Sequence, residues 1–380
     1  MRVFLIAGEP SGDKLGAALM AGLKTLAPEV TFQGVGGPLM QAEGMESLFP
    51  MDELSVMGIA EVLPKYCALK RRIAQTAEAV IAAAPDVLVT IDSPDFCLRV
   101  AKIVKAAGPQ RIVHYVAPSV WAWRPGRARK MARVVDEVLC LLPFEPPYMT
   151  EAGMGAHFVG HPVVAEPVAT QAEADAFRTA HGIAPEAPLI LALPGSRRGE
   201  VARLAERFGA ALRIAVAARP ETRVVVVPAP AVRAMVAEAL RDWPGAPVLT
   251  SGSDLAEKRA AFRAADLALA ASGTVSLELA ASGTPMVIAY DMNWLSRLLI
   301  GWLLRIDTVT LVNLVSDTRA VPECLGRDCT PARIGQGLVS LLNDPAAQTA
   351  QREAMTSTMT RLGQGGEAPG LRAARAVLRR

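Results

Sequence analysis

The sequence predicts an α/β protein with two doubly wound, Rossmann-like domains that face a central cleft. Short runs of Val, Ile, Leu and Ala alternate with stretches of helical length along the whole chain. At 380 residues, the chain is long enough for two separate cores. A Pro- and Ala-rich stretch up to about residue 187 interrupts the alternation, and strands then begin again. We therefore place the domains at residues 1–165 and 166–345, followed by C-terminal helices at 346–380.

The first domain is expected to be a parallel sheet in which each strand leads into a helix. Its apolar runs predict strands at 2–7, 31–35, 86–91, 111–116 and 137–142. Helical periodicity predicts the intervening helices near 13–26, 70–84, 95–107 and 126–134.

The second domain repeats this kind of unit. Strands are predicted at 188–193, 223–227, 247–250, 266–270 and 286–290. The last segment, 346–380, indicates helices around a Gly-containing turn at 363–370, and we expect these helices to pack back toward the first domain.

Composition narrows the function classes. The net charge of +3 does not suggest a nucleic-acid-binding protein, and five cysteines with four histidines do not form a disulfide or metal-ligand pattern. We therefore predict no metal site and no nucleic-acid partner. No apolar run approaches the roughly 18 residues of a transmembrane helix, and the apolar segment 298–304 is interpreted as a core helix. Without a signal-peptide pattern at its start, the chain is expected to be cytoplasmic.

The segment 266–290 predicts an anion site, because a strand is followed by Ser272, Gly273 and Thr274 and then by a helix. Free N–H groups at a helix start, together with the helix dipole, favour a phosphate. Glu278 lies one turn further on the same helix face, where its carboxylate can accept hydrogen bonds from a ribose. The alternative is that Ser272 and Thr274 only cap the helix.

Ligands of such sheets bind beyond the carboxyl ends of the strands, so the loops after the strands are the candidate sites. The loop AGEPSGDKLG, residues 7–16, has glycines at 8 and 12 that allow tight turns. Ser11 or Asp13 is predicted to begin the helix. The loop resembles a phosphate-binding loop but lacks the spacing of the known glycine motifs.

The loop TIDSPDF, residues 90–96, places Asp92 at the end of an apolar strand. A carboxylate at the mouth of a hydrophobic cleft can take a proton from an attacking hydroxyl, since partial desolvation raises its basicity. Alternatively, Asp92 or Ser93 is simply the N-cap of the helix that starts at Pro94.

The loop from His114 to Arg133 combines Trp121 and Trp123 with a run of basic side chains that includes Arg124. This combination is compatible with single-stranded RNA, a membrane surface or one anionic amphiphile. The alternative is a solvated basic helix whose tryptophans lie in the core. His114 is interpreted as a core or cleft residue.

The loop LALPGSRRGEV, residues 191–201, is again a strand followed by a glycine turn and a helix. Arg197 lies beside the helix start, where a guanidinium can hold a departing diphosphate by two hydrogen bonds without a metal ion. The alternative is that Arg197 and Arg198 are solvated surface residues.

These loops together suit transfer between a nucleotide-activated donor and an acceptor. In this order along the chain, several segments resemble the lipid-A-disaccharide synthase family, a family of GT-B glycosyltransferases classified as family 19. The segments are AGEPSGD, GVGGPLM, SVMGIAEVLP, TIDSPDF, YVAPSVWAWR, FVGHP, LALPGSRRGEV, ASGTVSLELA and LVNLV with VPE near residue 322.

The resemblance implies an inverting hexosyltransferase of lipid A biosynthesis in a Gram-negative bacterium. It would move 2,3-diacylglucosamine from UDP to 2,3-diacylglucosamine 1-phosphate, with no cofactor and with UDP as product. The first domain would hold the acceptor, with Asp92 as base for its 6-hydroxyl, and the second would hold UDP. The implied UDP site is Gly195, Ser196, Arg197, Ser272, Gly273, Thr274, Glu278 and Asn313. The implied acceptor or phosphate loops contain Glu9, Ser11, Gly12, Asp13, Trp121 and Arg124.

Because both implied substrates are acylated, we interpret the segment 59–73 as a membrane contact. An apolar edge with basic residues beside it can insert partway into an anionic leaflet. The predicted membrane patch is Val62, Leu63, Tyr66, Leu69, Lys70, Arg71 and Arg72. We expect a peripheral protein on the inner face of the inner membrane, with anionic lipids as partners. A homodimer is one expectation for its assembly.

Three other functions stay open at this point. An epimerase or hydrolase of nucleotide sugars can share the fold but does not need an apolar patch. An inactive, membrane-associated partner protein would not need Asp92, Arg197 and Glu278 together. An RNA-binding role for the basic loop would require a strongly salt-dependent affinity.

Overall fold

A computed structural model describes residues 1–54, 59–292 and 306–379, with side chains from residue 67 onward in the helix that begins at residue 59. Within these residues the chain forms two compact units. The first is Met1–Ala165 together with Leu362–Arg380, and the second is Glu166–Arg361.

The first unit is built on a six-stranded sheet in the order β2-β1-β3-β4-β5-β6, and every pairing is parallel. Its strands are β1 Arg2–Ala7, β2 Thr31–Val35, β3 Val87–Ile91, β4 Ile112–Tyr115, β5 Glu137–Cys140 and β6 Gly155–Phe158. Its helices are α1 Pro10–Leu26, α2 Pro38–Ala42, α3 Ile59–Ala83, α4 Pro94–Ala107, α5 Gly126–Met131, α6 Pro146–Glu151 and, from the C-terminal end of the chain, α15 Pro369–Leu378.

The five strands predicted in this unit are confirmed to within two residues at each end. The edge strand β6 was not predicted, because its four residues, GAHF, are partly exposed and include a glycine and a histidine. Helix α3 begins at Ile59 instead of residue 70. Proline usually interrupts a helix, but this helix runs through Pro64.

Side chains of β1 alternate between two cores, one on each face of the sheet. Phe4 and Ile6 pack with residues of α3 and α4, whereas Val3 and Leu5 pack with residues of α1 and α15. Gly22 lets α15 approach α1 closely, since a β-carbon there would lie 2.6 Å from the carbonyl oxygen of Gly370. Of the C-terminal helices expected to pack back toward the first domain, the last, α15, therefore does so, whereas the preceding helix belongs to the second unit.

The second unit has another six-stranded parallel sheet, in the order β12-β11-β10-β7-β8-β9. Its strands are β7 Leu189–Leu193, β8 Arg223–Val226, β9 Val248–Leu249, β10 Leu267–Ala271, β11 Met286–Tyr290 and β12 Glu323–Leu325. Its described helices are α7 Gln171–Ala180, α8 Arg198–Ala218, α9 Arg233–Ala239, α10 Leu255–Ala264, α11 Val275–Ser282, α12 Leu311–Ser316, α13 Pro331–Leu342 and α14 Pro345–Arg361. Short 3-10 helices lie at Met51–Glu53, Pro162–Ala165, Pro230–Val232, Leu240–Asp242 and Gly326–Asp328.

Helix α14 is held to the second sheet by buried polar contacts. The Gln351 side chain accepts a hydrogen bond from Met286 N (2.8 Å) and donates one to Met286 O (3.2 Å). The Thr358 hydroxyl lies 3.2 Å from Val312 O. The chain returns to the first unit only after Arg361.

Among the helices in the described ranges, none is long and apolar enough to cross a bilayer. The apolar segment 298–304, interpreted above as a core helix, lies outside the described residues.

Candidate active site

Asp92 follows β3 directly, at the carboxyl edge of the first sheet. Its backbone N–H donates to Tyr115 O at the end of β4 (2.9 Å), and its φ is 51°. Burial raises the pKa of the Asp92 carboxyl, and the backbone hydrogen bond from Ser93 opposes this only in part. No side-chain cap is formed at Ser93, the N-cap position of α4. The Asp92 carboxylate is therefore a stronger base than that of an ordinary aspartate.

Backbone strain is concentrated at this edge. Asp92, Ser93, Val116 and Arg124 all have φ between 41° and 86°, which costs a non-glycine residue about 1–3 kcal/mol. Val116 is the extreme case, since it is β-branched, and it is held there by a hydrogen bond from its N–H to Leu139 O (3.0 Å). Neighbouring strands thus fix the turn that presents Asp92.

The β1–α1 loop lies against the Asp92 turn. A β-carbon on Gly8 would come within 2.7 Å of the Ser93 hydroxyl, and one on Gly12 would lie 3.5 Å from Ile91 O. Glu9 occupies the N-cap position of α1, and the Ser11 side chain is exposed. Glycines at these two positions therefore let the β1–α1 loop lie close to Ile91 and Ser93, the residues on either side of Asp92.

Asp13, predicted as part of the same loop, has a structural role. Its buried carboxylate accepts hydrogen bonds from the N–H groups of Gly37 (2.9 Å), Leu39 (3.0 Å) and Met40 (3.0 Å), and so caps the start of α2.

His114 is a core residue, as the sequence analysis interpreted it. Its Nδ1 lies 2.7 Å from the Thr90 hydroxyl on the paired strand. Burial lowers the pKa of His114 to about 4, so the ring is neutral near pH 7.

The loop after β4 contains two half-buried tryptophans, Trp121 and Trp123, and the exposed Arg124. The Arg124 guanidinium lies over the Trp123 ring at 4.4 Å from its centroid, and that of Arg127 at 5.9 Å. Trp121 meets the edge of Phe144, with ring centroids 5.1 Å apart and ring planes at 83°. Stacking thus limits the mobility of a cationic surface that carries Arg124.

In the second unit, the N–H groups of the turn after β7 already bind a carboxylate of the protein itself. The Glu200 carboxylate accepts hydrogen bonds from the N–H groups of Ser196 (3.1 Å) and Arg197 (3.2 Å). Gly195 has φ 114°, and a β-carbon there would meet Glu200. The Arg197 side chain is 68% exposed and lies 3.7 Å from Glu200. Its guanidinium, more than the turn amides, is therefore available to a phosphate.

The turn after β10 is open. Ser272 is half-buried and Gly273 and Thr274 are exposed, and no atom lies within 4 Å of where a Gly273 β-carbon would be. Helix α11 begins at Val275, and the Thr274 side chain does not cap it. The capping alternative is thus absent at Thr274, and the start of α11 has room for an anion.

Glu278 on α11 forms an ion pair with Lys258 on α10. About a third of each side chain is exposed, 33% for Glu278 and 30% for Lys258. The carboxylate is accessible, and the ammonium group restricts its orientation.

Asn313 on α12 is buried and bonded within its own unit. Its Nδ2 donates to Thr308 Oγ1 (3.2 Å) and Val321 O (2.9 Å), and its Oδ1 accepts from Val321 N (3.0 Å). Both amide hydrogens are used. Only one acceptor position of Oδ1 is left for any ligand.

The predicted membrane patch is described only in part, since the side chains of Val62, Leu63 and Tyr66 lie outside the described residues. Leu69 packs against the core of the first unit. Lys70 and Arg71 are exposed. Arg72 pairs with Glu53 at 2.7 Å.

Sequence reasoning did not single out Glu145, Glu200 or Lys258. Only Glu200 has a local signal, a glutamate three positions after the residue that precedes a helix. Within the part of the chain that the structure describes, no group of three or more His, Cys, Asp or Glu side chains is placed to hold a metal ion.

Comparison with known proteins assigns nearly the whole chain to one protein family. The model of the lipid-A-disaccharide synthetase family matches residues 3–372. A lipid-A-disaccharide synthase of Ruegeria pomeroyi is 64% identical, and the alignment covers 100% of this chain and 95% of that protein.

Solved structures support the fold. UDP-GlcNAc 2-epimerase from Neisseria meningitidis, bound to UDP-GlcNAc, has a TM-score of 0.66 at 12% identity, covering 100% of this chain and 98% of that one. The calicheamicin glycosyltransferase CalG4 has a TM-score of 0.58 at 17% identity, covering 99% of this chain and 97% of that one. The two parallel sheets therefore form a GT-B fold.

Proposed function

Because the chain belongs to the lipid-A-disaccharide synthase family, we propose a division of roles among its residues in that reaction. The protein is a glycosyltransferase that forms the lipid A disaccharide from a nucleotide-sugar donor and a phosphorylated sugar acceptor. In our proposal the donor is UDP-2,3-diacylglucosamine, the acceptor is 2,3-diacylglucosamine 1-phosphate, and the anomeric centre is inverted.

Asp92 is the proposed general base. As the acceptor 6-hydroxyl oxygen forms its bond to the anomeric carbon, its proton passes to the Asp92 carboxylate. The bond from that carbon to the β-phosphate oxygen breaks, and the electron pair leaves with UDP. The observation that supports this role is a carboxylate at the strand end whose pKa is raised by burial.

The second unit supplies the proposed donor contacts. The start of α11 at Ser272, Gly273 and Thr274 receives the diphosphate, and Arg197 reaches it with two hydrogen bonds. Glu278 accepts hydrogen bonds from the ribose hydroxyls. Asn313 contributes by shaping the 308–321 loop, and Glu200 by holding the 195–197 turn closed.

The charge that accumulates on UDP is, in this proposal, neutralised by Arg197 and the helix dipole, with no resident cofactor. Product formation should therefore be unchanged by excess EDTA. A loss of turnover that Mg²⁺ restores would overturn this part of the proposal.

The acceptor is proposed to bind to the first unit. In this proposal its 1-phosphate contacts Arg124 beside the stacked Trp123 ring. The β1–α1 loop, with Glu9, Ser11 and Gly12, also lines the proposed acceptor site, since its glycines lie close to Ile91 and Ser93 on either side of Asp92. The cationic and aromatic surfaces suit a molecule with one phosphate and acyl chains.

We propose that the protein contacts the membrane with the first turns of α3. Exposed Lys70 and Arg71 lie one to two turns beyond Val62, Leu63 and Tyr66 on this helix. We propose that these residues bind the anionic lipids on the inner face of the inner membrane. Serine at Val62, Leu63 and Tyr66 should reduce co-sedimentation with phosphatidylglycerol vesicles, whereas unchanged co-sedimentation would contradict the assignment.

The decisive experiment is mass analysis of the products from UDP-2,3-diacylglucosamine and 2,3-diacylglucosamine 1-phosphate. A disaccharide 1-phosphate and equimolar UDP are expected, with a β-linkage by NMR. Plain UDP-GlcNAc should be a poor donor. Its epimerisation or hydrolysis, without disaccharide formation, would favour a nucleotide-sugar epimerase or hydrolase instead.

A further inference from the structure

The buried carboxylate of Glu145 has no role in the reaction outlined above. It lies just after β5, at the carboxyl edge of the first sheet, and only 4% of the residue is exposed. A buried carboxylate without partners is unfavourable, so the groups around it indicate what it does.

Three N–H groups converge on Glu145. Its Oε2 accepts from Leu141 N (3.0 Å) and Leu142 N (2.9 Å), and its Oε1 accepts from Trp121 Nε1 at 3.4 Å. The first two bonds fix the carboxylate to its own turn. The third connects that turn to a distant loop, 24 residues earlier in the chain.

Trp121 is held at a second point by the neighbour of Glu145, since its ring meets the edge of Phe144. The Trp121 ring and its polar atom are therefore contacted by two consecutive residues, Phe144 and Glu145. The hydrogen bond adds a directional restraint to the packing of the indole.

The loop that Trp121 anchors contains the proposed phosphate contact. Arg124 lies three residues further on, in a left-handed conformation with φ 51°, and stacks on Trp123. Such a conformation persists only where the surroundings fix it. The Glu145–Trp121 bond supplies a fixed point close to this strained residue.

We propose that Glu145 is a positioning residue for the acceptor, which acts by fixing Trp121 and thereby the loop that presents Arg124 to the phosphate of an acylated sugar phosphate. This inference rests on the proposed function, because it uses the assignment of Arg124 to the acceptor phosphate. Burial raises the pKa of Glu145 to about 7, and the hydrogen bonds from Leu142, Trp121 and Leu141 offset the effect of burial only in part.

The test compares Trp121→Phe, Glu145→Gln and the double variant in steady-state kinetics with each substrate varied. Trp121→Phe removes the N–H donor and keeps a ring against Phe144. Each single change should raise the acceptor KM about tenfold, the effect of one buried hydrogen bond. Turnover at saturation and the donor KM should change less than about twofold.

The double variant is the critical measurement. If Glu145 acts through Trp121, the double change should raise the acceptor KM no more than either single change. Multiplication of the two effects, or equal loss of kcat and of both affinities in Glu145→Gln, would overturn the proposal. Glu151→Gln, at an exposed glutamate on α6, is the matched control and should behave as the parent protein.

Two further outcomes separate this inference from the proposed function. If Arg124→Ala leaves the acceptor KM unchanged, the phosphate assignment of the loop is wrong. If Arg124→Ala raises that KM while Trp121→Phe does not, the phosphate assignment stands and the positioning role of Glu145 is wrong. Trp121→Phe alone remains informative should Glu145→Gln fail to fold, since it leaves both backbone partners of the carboxylate in place.

Discussion

Asn313 and Val321 exchange two hydrogen bonds, from Nδ2 to the Val321 carbonyl (2.9 Å) and from the Val321 N–H to Oδ1 (3.0 Å). The side-chain amide thus pairs with a peptide group as a neighbouring strand would. It joins the first turn of α12 to Val321, which lies two residues before β12. A ligand could use only the remaining acceptor position of Oδ1, so the main contribution of Asn313 to a UDP site is the shape of this loop.

Asn313→Ala should therefore lower the stability of the protein. It leaves a buried N–H and a buried C=O of Val321 unpaired, a loss of about 2–4 kcal/mol. Urea unfolding at pH 7 measures it. Asn343→Ala, at an exposed asparagine, is the control and should change the free energy of unfolding by less than about 1 kcal/mol. A stable Asn313→Ala protein with a large rise in donor KM would instead indicate a direct contact with UDP.

Asp92→Asn should reduce kcat by about 10²- to 10⁴-fold, because the amide cannot accept the proton. In the parent protein, activity should fall as the pH drops through the pKa of Asp92, which burial raises above the usual value for an aspartate. This acid limb should disappear in the variant. The measurement is kcat over a range of pH with both substrates saturating.

Asp95→Asn provides the matched control, since Asp95 is an exposed carboxylate in the first turn of α4, three residues beyond Asp92. Its turnover and acid limb should be those of the parent. An Asp92→Asn variant that keeps most of its turnover with the same acid limb would remove Asp92 as the base.

The sequence was sufficient to place residues whose position follows from a strand end. Asp92, Arg197 and Ser272 come directly after long apolar runs, and parallel strands bring such residues to one edge of their sheet. Contacts between segments that are distant along the chain could not be predicted from the sequence. Nothing near Asp13 indicates that it caps α2, and nothing near Glu145 indicates Trp121, because these pairs form only once the sheet has assembled.

Arg197→Ala should lower kcat/KM for the donor about 100-fold, because a guanidinium at the departing diphosphate stabilises its charge. Arg197→Lys should recover part of this, since it keeps the charge without the two-pronged geometry. Arg198→Ala, at the neighbouring exposed arginine, is the control. Since the Arg197 side chain is 68% exposed, its loss should leave the melting temperature unchanged. Equal effects of the Arg197 and Arg198 changes would indicate a general surface charge effect.

Glu278→Gln should raise the KM for the UDP donor about tenfold and leave the acceptor KM unchanged, because an amide oxygen is a weaker acceptor for ribose hydroxyls. A 2′-deoxy or 3′-deoxy donor identifies the contact. Removal of the hydroxyl that Glu278 binds should weaken the parent protein and have little further effect in the variant. Full multiplication of the two effects for both donors would show that Glu278 does not bind the ribose.

Lys258→Met tests the partner of this carboxylate. The ion pair is about one-third exposed, so it should contribute only about 0–1 kcal/mol to stability. If the pair orients Glu278, the donor KM should rise severalfold while thermal stability changes little, and Lys258→Arg should restore it. A donor KM unchanged in Lys258→Met would mean that Glu278 needs no such orientation.

His114 should make the protein sensitive to acid. Burial lowers its pKa from 6.5 to about 4, so between these values the unfolded chain binds a proton that the folded protein does not. The free energy of unfolding therefore falls as the pH drops from 6.5 toward 4, by about 3 kcal/mol in total.

Glu145, whose pKa is raised to about 7, has the opposite effect on stability, since its ionisation as the pH rises destabilises the folded state. The profile of the parent protein thus sums both groups. The difference between the parent and His114→Gln isolates the histidine, because glutamine retains a polar contact for Thr90 without titrating. As the pH falls through this window, the free energy of unfolding of the parent protein should fall by about 3 kcal/mol relative to that of His114→Gln, and parallel profiles would show that His114 is not held neutral.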